Sequence, residues 1–489
     1  MDPMQKTITY INEHAEELTA ISHAVWSFAE LSLKEVQSAA LYIDALKTAG
    51  FTVTESLCGI PTAFSGSWGS GKPVIGILGE FDALSGLSQK AAVPYKTPAE
   101  GHKAIDPGHG CGHNMLGAAS FGAACAIKEY LEQSGTAGTV IFYGCPGEEG
   151  GAAKAFLARD GVWKDLDAAL TWHPSSVNEV ETGTCNSSIQ VLYKFKGIAA
   201  HAAGNPEIGR SALDAVELMN TGVQYLREHM KSDCRIHYAI TNAGGVSPNV
   251  VQSEAEVLYM VRSVAVEDSI SLQARVDKIA EGAALMTETT YERVFVDGTA
   301  NTVPNSVLEK LFFEKMVQVG LPSYTEEELA YAAALKAASP DSGRLPGMGA
   351  QCSAEIAEQV RLLSDNGKKA LNDFICPLYH GDDFSPGSTD VGDVSWLTPT
   401  AQFHAVCEPS GVPGHSWQIV SCGASSIGDK GLLYAAKVLA LAGIELFENA
   451  ELLQAARAEF AVKAARGYTC PIPPDAVPTV IGQDTGTLS

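Results

Sequence analysis

Three short apolar runs constrain this chain more than any other feature. They are PVIGILGEF (73–81), TVIFYGC (139–145) and AALTWH (168–173). None alternates polar with apolar residues, so each suits a strand buried on both faces. Helical spacing of apolar positions runs through residues 5–31 and 34–48, and an Ala-rich helix is expected from Asn114 to Gln133. Buried strands alternating with helices predict an α/β fold: a mixed, mainly parallel sheet with helices on both faces.

The pattern changes near residue 186. Strands are expected at 188–197, 235–245, 255–263 and 289–298, with helices over Ile208–His229 and Glu267–Leu285. That order, β-α-β-β-α-β, is the split unit of a ferredoxin-like α+β domain. Helices return after about residue 305. A turn-rich stretch follows at 338–352, then short strands among Gly, Pro, Asp and His at 376–422, a closing helix over Tyr434–Phe447, and an irregular Pro-rich tail after Thr469. The expected organisation is a discontinuous catalytic domain, 1–185 and 301–489, with 186–300 inserted as a second domain.

Charge narrows the choice of partner. Asp and Glu number 57 against 33 Lys and Arg, a formal net charge of −24, and no Lys/Arg run exists. Nucleic acid and anionic membrane surfaces are therefore excluded as expected partners. The segment MDPMQKTITY lacks the apolar core of a secretory signal, and Gly431–Phe447 is interrupted by Lys437 and Glu445, so no membrane span is expected. The eleven cysteines are irregularly spaced and read as reduced thiols of a cytoplasmic protein.

Four separated segments offer metal ligands. GHGCGHN (108–114) carries Cys111 and His113 in a Gly-rich turn before the Ala-rich helix. CPGEEGG (145–151) offers Glu148 and Glu149 just past a strand. TWHP (171–174) offers His173 at another strand end, and PGHSW (413–417) offers His415. Taken singly, each has an ordinary structural reading. Together, at the carboxyl ends of strands in one α/β sheet, they point to a centre for divalent transition metal ions. Adjacent glutamates suit a division of labour, one as ligand and the other as general base. Asp82, in GEFDALSG, is placed to orient a ligand His, and Glu80 on the same strand end carries less weight. His201 could donate to an oxyanion, and Asn249 could contact substrate. Ser388, Thr389, Asp390 and Asp393 either line the site or cap a helix.

At these residues the chain resembles the aminoacylase/carboxypeptidase metallopeptidase family, in its amidohydrolase branch. The resemblance is carried by KPVIGILGEFDALSGLSQ, GHGCGHNMLGAA, VIFYGCPGEEGGAAK, DAALTWHP, FKGIAAHAAGNPEIGRSALDAVELM, HYAITNAGGVSPNVVQ and STDVGDVSW, in that order. FDALSGLSQ lacks the proline that many members carry after this motif, and residues 323–385 match the family poorly. The resemblance implies a zinc-exopeptidase-like catalytic domain with an inserted lid and dimerisation domain. It implies two divalent ions, Mn²⁺ with Zn²⁺ as alternative, held by Cys111, His113, Glu149, His173 and His415. It further implies Glu148 as general base, Asp82 as the acid behind the ligands, His201 reaching a neighbouring subunit's site, and Asn249 on substrate. The implied activity is hydrolysis of an N-acyl amino acid, foremost p-aminobenzoyl-glutamate, by a homodimer or a heteromer with a homologous subunit. Indoleacetyl-aspartate conjugates, dipeptides and a non-catalytic scaffold role are the alternatives.

Overall fold

A computed structural model of the chain describes residues 3–340 and 344–480. Residues 341–343 of the expected turn-rich stretch and 481–489 of the expected tail lie outside the described residues.

The three apolar runs become inner strands of a seven-stranded sheet. Its order is Thr52–Glu55, Phe64–Ser70, Gly138–Cys145, Val74–Glu80, Ala168–Ser175, Thr400–Val406, Glu179–Val180. The four strands from Gly138–Cys145 to Thr400–Val406 run parallel, and antiparallel strands close both sides. Side chains alternate between two buried layers. Ile75 and Ile77 pack with residues of the helices His113–Ser134, Ala15–Phe28 and Ser426–Glu448. Leu78, Tyr143 and Ala169 point the other way, against Leu157, Trp163 and Val394. Burial on both faces is why these strands read as unbroken apolar runs. The helix His113–Ser134 lies close on the sheet because residue 117 is Gly: a Cβ there would sit 2.7 Å from the Glu80 carbonyl oxygen.

The second sheet has four strands in the order Thr290–Thr299, Ser187–Lys196, Glu254–Ser263, Arg235–Asn242, all antiparallel. Helices Ala212–Leu226 and Val266–Thr287 cover one face around Val191, Tyr193, Val216, Met219, Tyr259 and Val276, a core of its own. Order and pairing are ferredoxin-like.

Several boundaries depart from expectation; the closing helix expected over Tyr434–Phe447 runs Ser426–Glu448, and the strand expected over 235–245 is Arg235–Asn242. The helix expected over 5–31 is two, Pro3–Glu13 and Ala15–Phe28. At the break no Gly or Pro intervenes; His14 leaves helical geometry at φ −99°, ψ 12°, and the Tyr10 carbonyl oxygen lies 2.9 Å from its Nδ1 and accepts its backbone N–H at 3.1 Å. The helix expected from Ile208 starts at Ala212, where the Ser211 side chain accepts the Asp214 N–H and caps it. Among the described residues no helix is long and apolar enough to cross a membrane.

Candidate metal centre

The parallel strands end on one side of the sheet, and the candidate residues gather there. Val74–Glu80 delivers Glu80 and Asp82, Gly138–Cys145 leads to Glu148 and Glu149, and Ala168–Ser175 carries His173. Cys111 and His113 arrive on the turn that opens the helix His113–Ser134. Gly112 in that turn has φ 78°, and a Cβ there would meet Met115 and Pro174 at 2.9 Å, so the turn needs Gly.

Two of the candidate imidazoles are aimed from behind. Asp82 Oδ1 lies 2.8 Å from His113 Nδ1, while Asp82 Oδ2 accepts from Ser32 Oγ at 2.7 Å and from the Glu149 N–H at 2.9 Å. His113 therefore turns Nε2 inward. His173 Nδ1 lies 2.7 Å from the Pro174 carbonyl oxygen, which leaves Nε2 facing Cys111 Sγ at 3.3 Å. His415, half exposed, brings Nε2 to 3.4 Å from Glu149 Oε1. Three donor groups result: Cys111, His113 and His173; Cys111, Glu149 and His415; Glu80, His113 and Glu148. Within each, the donor atoms lie within 4.8 Å of one another. Cys111 and His113 belong to two groups each, so the groups interlock.

This donor set fits divalent transition metal ions. His113 Nε2 and Glu149 Oε1 are buried without a hydrogen-bond partner. The contacts of His113 Nε2 with Glu80 at 3.3 Å, and of His415 with Glu149, are close in space but fail as hydrogen bonds. Buried polar atoms without partners are rare, and a cation satisfies them. Burial, then the charges of Glu80 and Glu149, push the Glu148 carboxyl well above the usual range. Burial, then the charge of His113, lowers His173 to about 4, keeping it the neutral imidazole a metal requires. Burial alone would raise Asp82, yet hydrogen bonding with His113, then with Ser32 and the Glu149 N–H, holds it at about 2.

Not every sequence candidate joins the cluster. His201 and Asn249 lie side by side on the four-stranded sheet's loops, where the Ala202 N–H donates to the Asn249 carbonyl oxygen. Among the described residues neither is linked to the five ligand candidates by a hydrogen bond, ion pair or ring contact. His201 Nδ1 accepts the N–H groups of Ala203 and Gly204 at 3.1 and 3.0 Å, so its proton sits on Nε2, away from the backbone. Of the residues in 385–396, Asp390 and Asp393 are fully buried and grip backbone and side chains behind the site. Neither joins a donor group; Thr389 lines a separate small cavity, and no donor group includes Ser388.

Sequence reasoning underweighted Glu80 and missed Lys154 and Glu35. Lys154 is fully buried, with Nζ 2.7 Å from Glu80 Oε1 and 2.5 Å from Asp390 Oδ1. Glu35, also fully buried, accepts the N–H groups of Leu33 and Gly147 on Oε1 and the Thr62 hydroxyl on Oε2. It staples the 31–35 loop to the loop that carries Glu148 and Glu149.

Comparison with known proteins extends these observations. Residues 76–363 match the peptidase family M20/M25/M40. The chain is 45% identical over 485 residues to a p-aminobenzoyl-glutamate hydrolase subunit of Escherichia coli strain K12, covering 97% of this chain and 99% of that one. It is 27% identical over 471 residues to a mouse Xaa-Arg dipeptidase, covering 93% and 91%. A solved structure from Bacillus subtilis, described as a dinuclear metal-binding peptidase, superposes with a TM-score of 0.51 at 17% identity, covering 89% of this chain and 99% of that one.

Proposed function

The chain belongs to the peptidase family M20/M25/M40, and on that premise we propose that it hydrolyses p-aminobenzoyl-glutamate to p-aminobenzoate and glutamate. The observation that carries the substrate is the 45% identity to the Escherichia coli hydrolase chain over nearly the full length of both proteins. The interlocked donor groups at the strand ends support the chemistry.

Cys111, His113, Glu149, His173 and His415 would hold two divalent ions. Thiolate and imidazole suit Zn²⁺, and the carboxylates suit Mn²⁺, which we favour. Such ions supply Lewis-acid charge for an oxyanion and acidify water. Glu148 removes the proton of the attacking water and delivers it to the amide nitrogen as the C–N bond breaks, releasing a carboxylate and a free amine. Asp82 fixes the tautomer of His113 through Nδ1. His201 donates its Nε2–H to the oxyanion, and Asn249 beside it contacts the substrate.

His201 makes no link to its own chain's cluster, which supports action in trans on a neighbouring subunit. The edge strand Arg235–Asn242 exposes Tyr238 and Ile240, a surface suited to pairing in a homodimer or with a homologous second subunit. We assign 1–185 and 301–489 to the catalytic unit and 186–300 to the lid, each supported by its own sheet and core. All eleven cysteines are unpaired, which suits a cytoplasmic location.

The likeness to an Xaa-Arg dipeptidase favours dipeptide hydrolysis as the second reading. A panel of p-aminobenzoyl-glutamate, indoleacetyl-aspartate and dipeptides, given to the isolated chain with Mn²⁺ or Zn²⁺, separates the readings. The highest kcat/KM is expected for p-aminobenzoyl-glutamate. Preference for a dipeptide would overturn the substrate, and no turnover of any compound with either metal, by the isolated chain or with a homologous second subunit added, would overturn the enzyme.

A further inference from the structure

A cleft of about 700 Å³ reaches the cluster at Glu149. Glu149 forms part of its wall, Gln190 reaches it from the four-stranded sheet, and Leu31, Leu84 and Pro107 supply apolar surface. Among the described residues that line it, Lys34 is the one cation. The acid on the same wall, Asp106, is engaged by the Lys103 N–H and by His102. Lys34 is exposed, and among the described residues its ammonium makes no ion pair or side-chain hydrogen bond.

The loop that carries Lys34 is held against the ligands. Ser32 Oγ donates to Asp82, the acid behind His113. Glu35 Oε1 accepts the Leu33 N–H at 2.8 Å and the Gly147 N–H at 2.9 Å, and Gly147 is two residues from Glu149. The backbone at Lys34 thus keeps a set distance from the metal-binding carboxylate, while its flexible arm can reach into the cleft. A cation whose loop is held at the cleft wall favours an anionic group within reach of its arm. In a chain of net charge −24, an anion gains only from such a local cation.

We propose that Lys34 selects substrates whose amino-acid half carries a side-chain carboxylate, as glutamate does; this rests on the amidohydrolase reading above. Lys34 meets that distal carboxylate while the amide lies at the donor cluster.

The test compares p-aminobenzoyl-glutamate with p-aminobenzoyl-glutamine, which differs only in that carboxylate, on Mn²⁺-loaded wild type, Lys34→Gln and Lys34→Arg. One charge-assisted contact predicts that the ratio of kcat/KM for the two compounds falls about tenfold in Lys34→Gln, mostly through KM, and is retained in Lys34→Arg. A ratio in Lys34→Gln within about twofold of wild type, while wild type cleaves the glutamate compound, would overturn the inference alone. Calorimetry of both compounds in EDTA reads binding without turnover. Binding of the glutamate compound that weakens in Lys34→Gln, with no hydrolysis by wild type, would overturn the proposed reaction and leave the role of Lys34 standing. Neither binding nor cleavage by wild type would overturn both.

Discussion

Replacing Lys154 with Met should be among the most damaging single changes to the stability of this chain. The side chain is fully buried between Glu80 at 2.7 Å and Asp390 at 2.5 Å. Methionine keeps most of the volume, so the packing loss is small, under about 1.5 kcal/mol. What remains is two buried carboxylates with no cation between them. Removing one partner of a buried pair costs about 3–5 kcal/mol, against a typical total stability of about 5–15 kcal/mol. The loss has a pH signature. Burial already raises the Asp390 carboxyl in the intact protein, and Lys154 opposes that rise. Without Lys154 the folded-state value climbs further above the unfolded one. Stability is then retained where the carboxyls are protonated and lost as pH rises through the folded value, so the penalty at pH 8 exceeds that at pH 5. Urea unfolding followed by tryptophan fluorescence reads this directly, because buried Trp163 donates its indole N–H to the Lys154 carbonyl oxygen at 3.0 Å. Adding Asp390→Asn to the variant should recover part of the loss. A penalty below about 1 kcal/mol at pH 8, or one equal at pH 5 and pH 8, would refute the reasoning.

Three further outcomes are expected. Glu148→Gln and His201→Ala should each lower kcat by about 10²–10³ with metal still bound, and mixing the two inactive variants should restore activity, because a mixed assembly holds one site with an intact Glu148 and an intact partner His201. Failure of the mixture would place His201 outside the neighbouring site. Burial, partly offset by the Tyr468 hydroxyl, pushes Asp393 up to about 7 from 3.8, so its contribution to stability is present below about pH 4 and lost as pH rises toward 7. Asp393→Asn should flatten that stretch of the stability–pH curve, and an unchanged slope in urea midpoints would count against it. EDTA should lower the thermal midpoint and Mn²⁺ or Zn²⁺ should restore it, since ions that bind only the folded donor cluster stabilise it; a midpoint indifferent to both would remove the case for a resident metal.

The sheet was legible because burial on both faces leaves an unbroken apolar signature, as at Val74–Glu80. The ferredoxin-like order was legible because its strands alternate and its turns are marked. The site segments were legible for a topological reason, since Glu148 and Glu149 follow, and His173 lies near the end of, strands that end on the same side. Lys154 was not. In GGAAKAFLARDG it has the look of a solvated helix lysine, and its partner Asp390 is 236 positions away. Glu35 gave no local sign that its carboxyl would staple two loops. The break at His14 escaped notice because no Gly or Pro marks it. The surroundings of His201 offered a tautomer only once the Ala203 and Gly204 N–H groups were seen to converge on Nδ1.

The strand Thr400–Val406 sits between Ala168–Ser175 and Glu179–Val180, which its sequence position makes consequential during synthesis. A ribosome adding about 5–20 residues per second reaches that strand some tens of seconds after its neighbours have emerged. Until then the Ala168–Ser175 edge has no partner on that side, and His415 does not yet exist. The four-stranded sheet, whose strands all lie between Ser187 and Thr299, can close in the meantime. A nascent chain therefore carries a finished small sheet beside a half-built large one, with an open strand edge of the kind that recruits chaperones or aggregates. Metal capture by the proposed ligand set would have to wait until His415 has been made, late in synthesis.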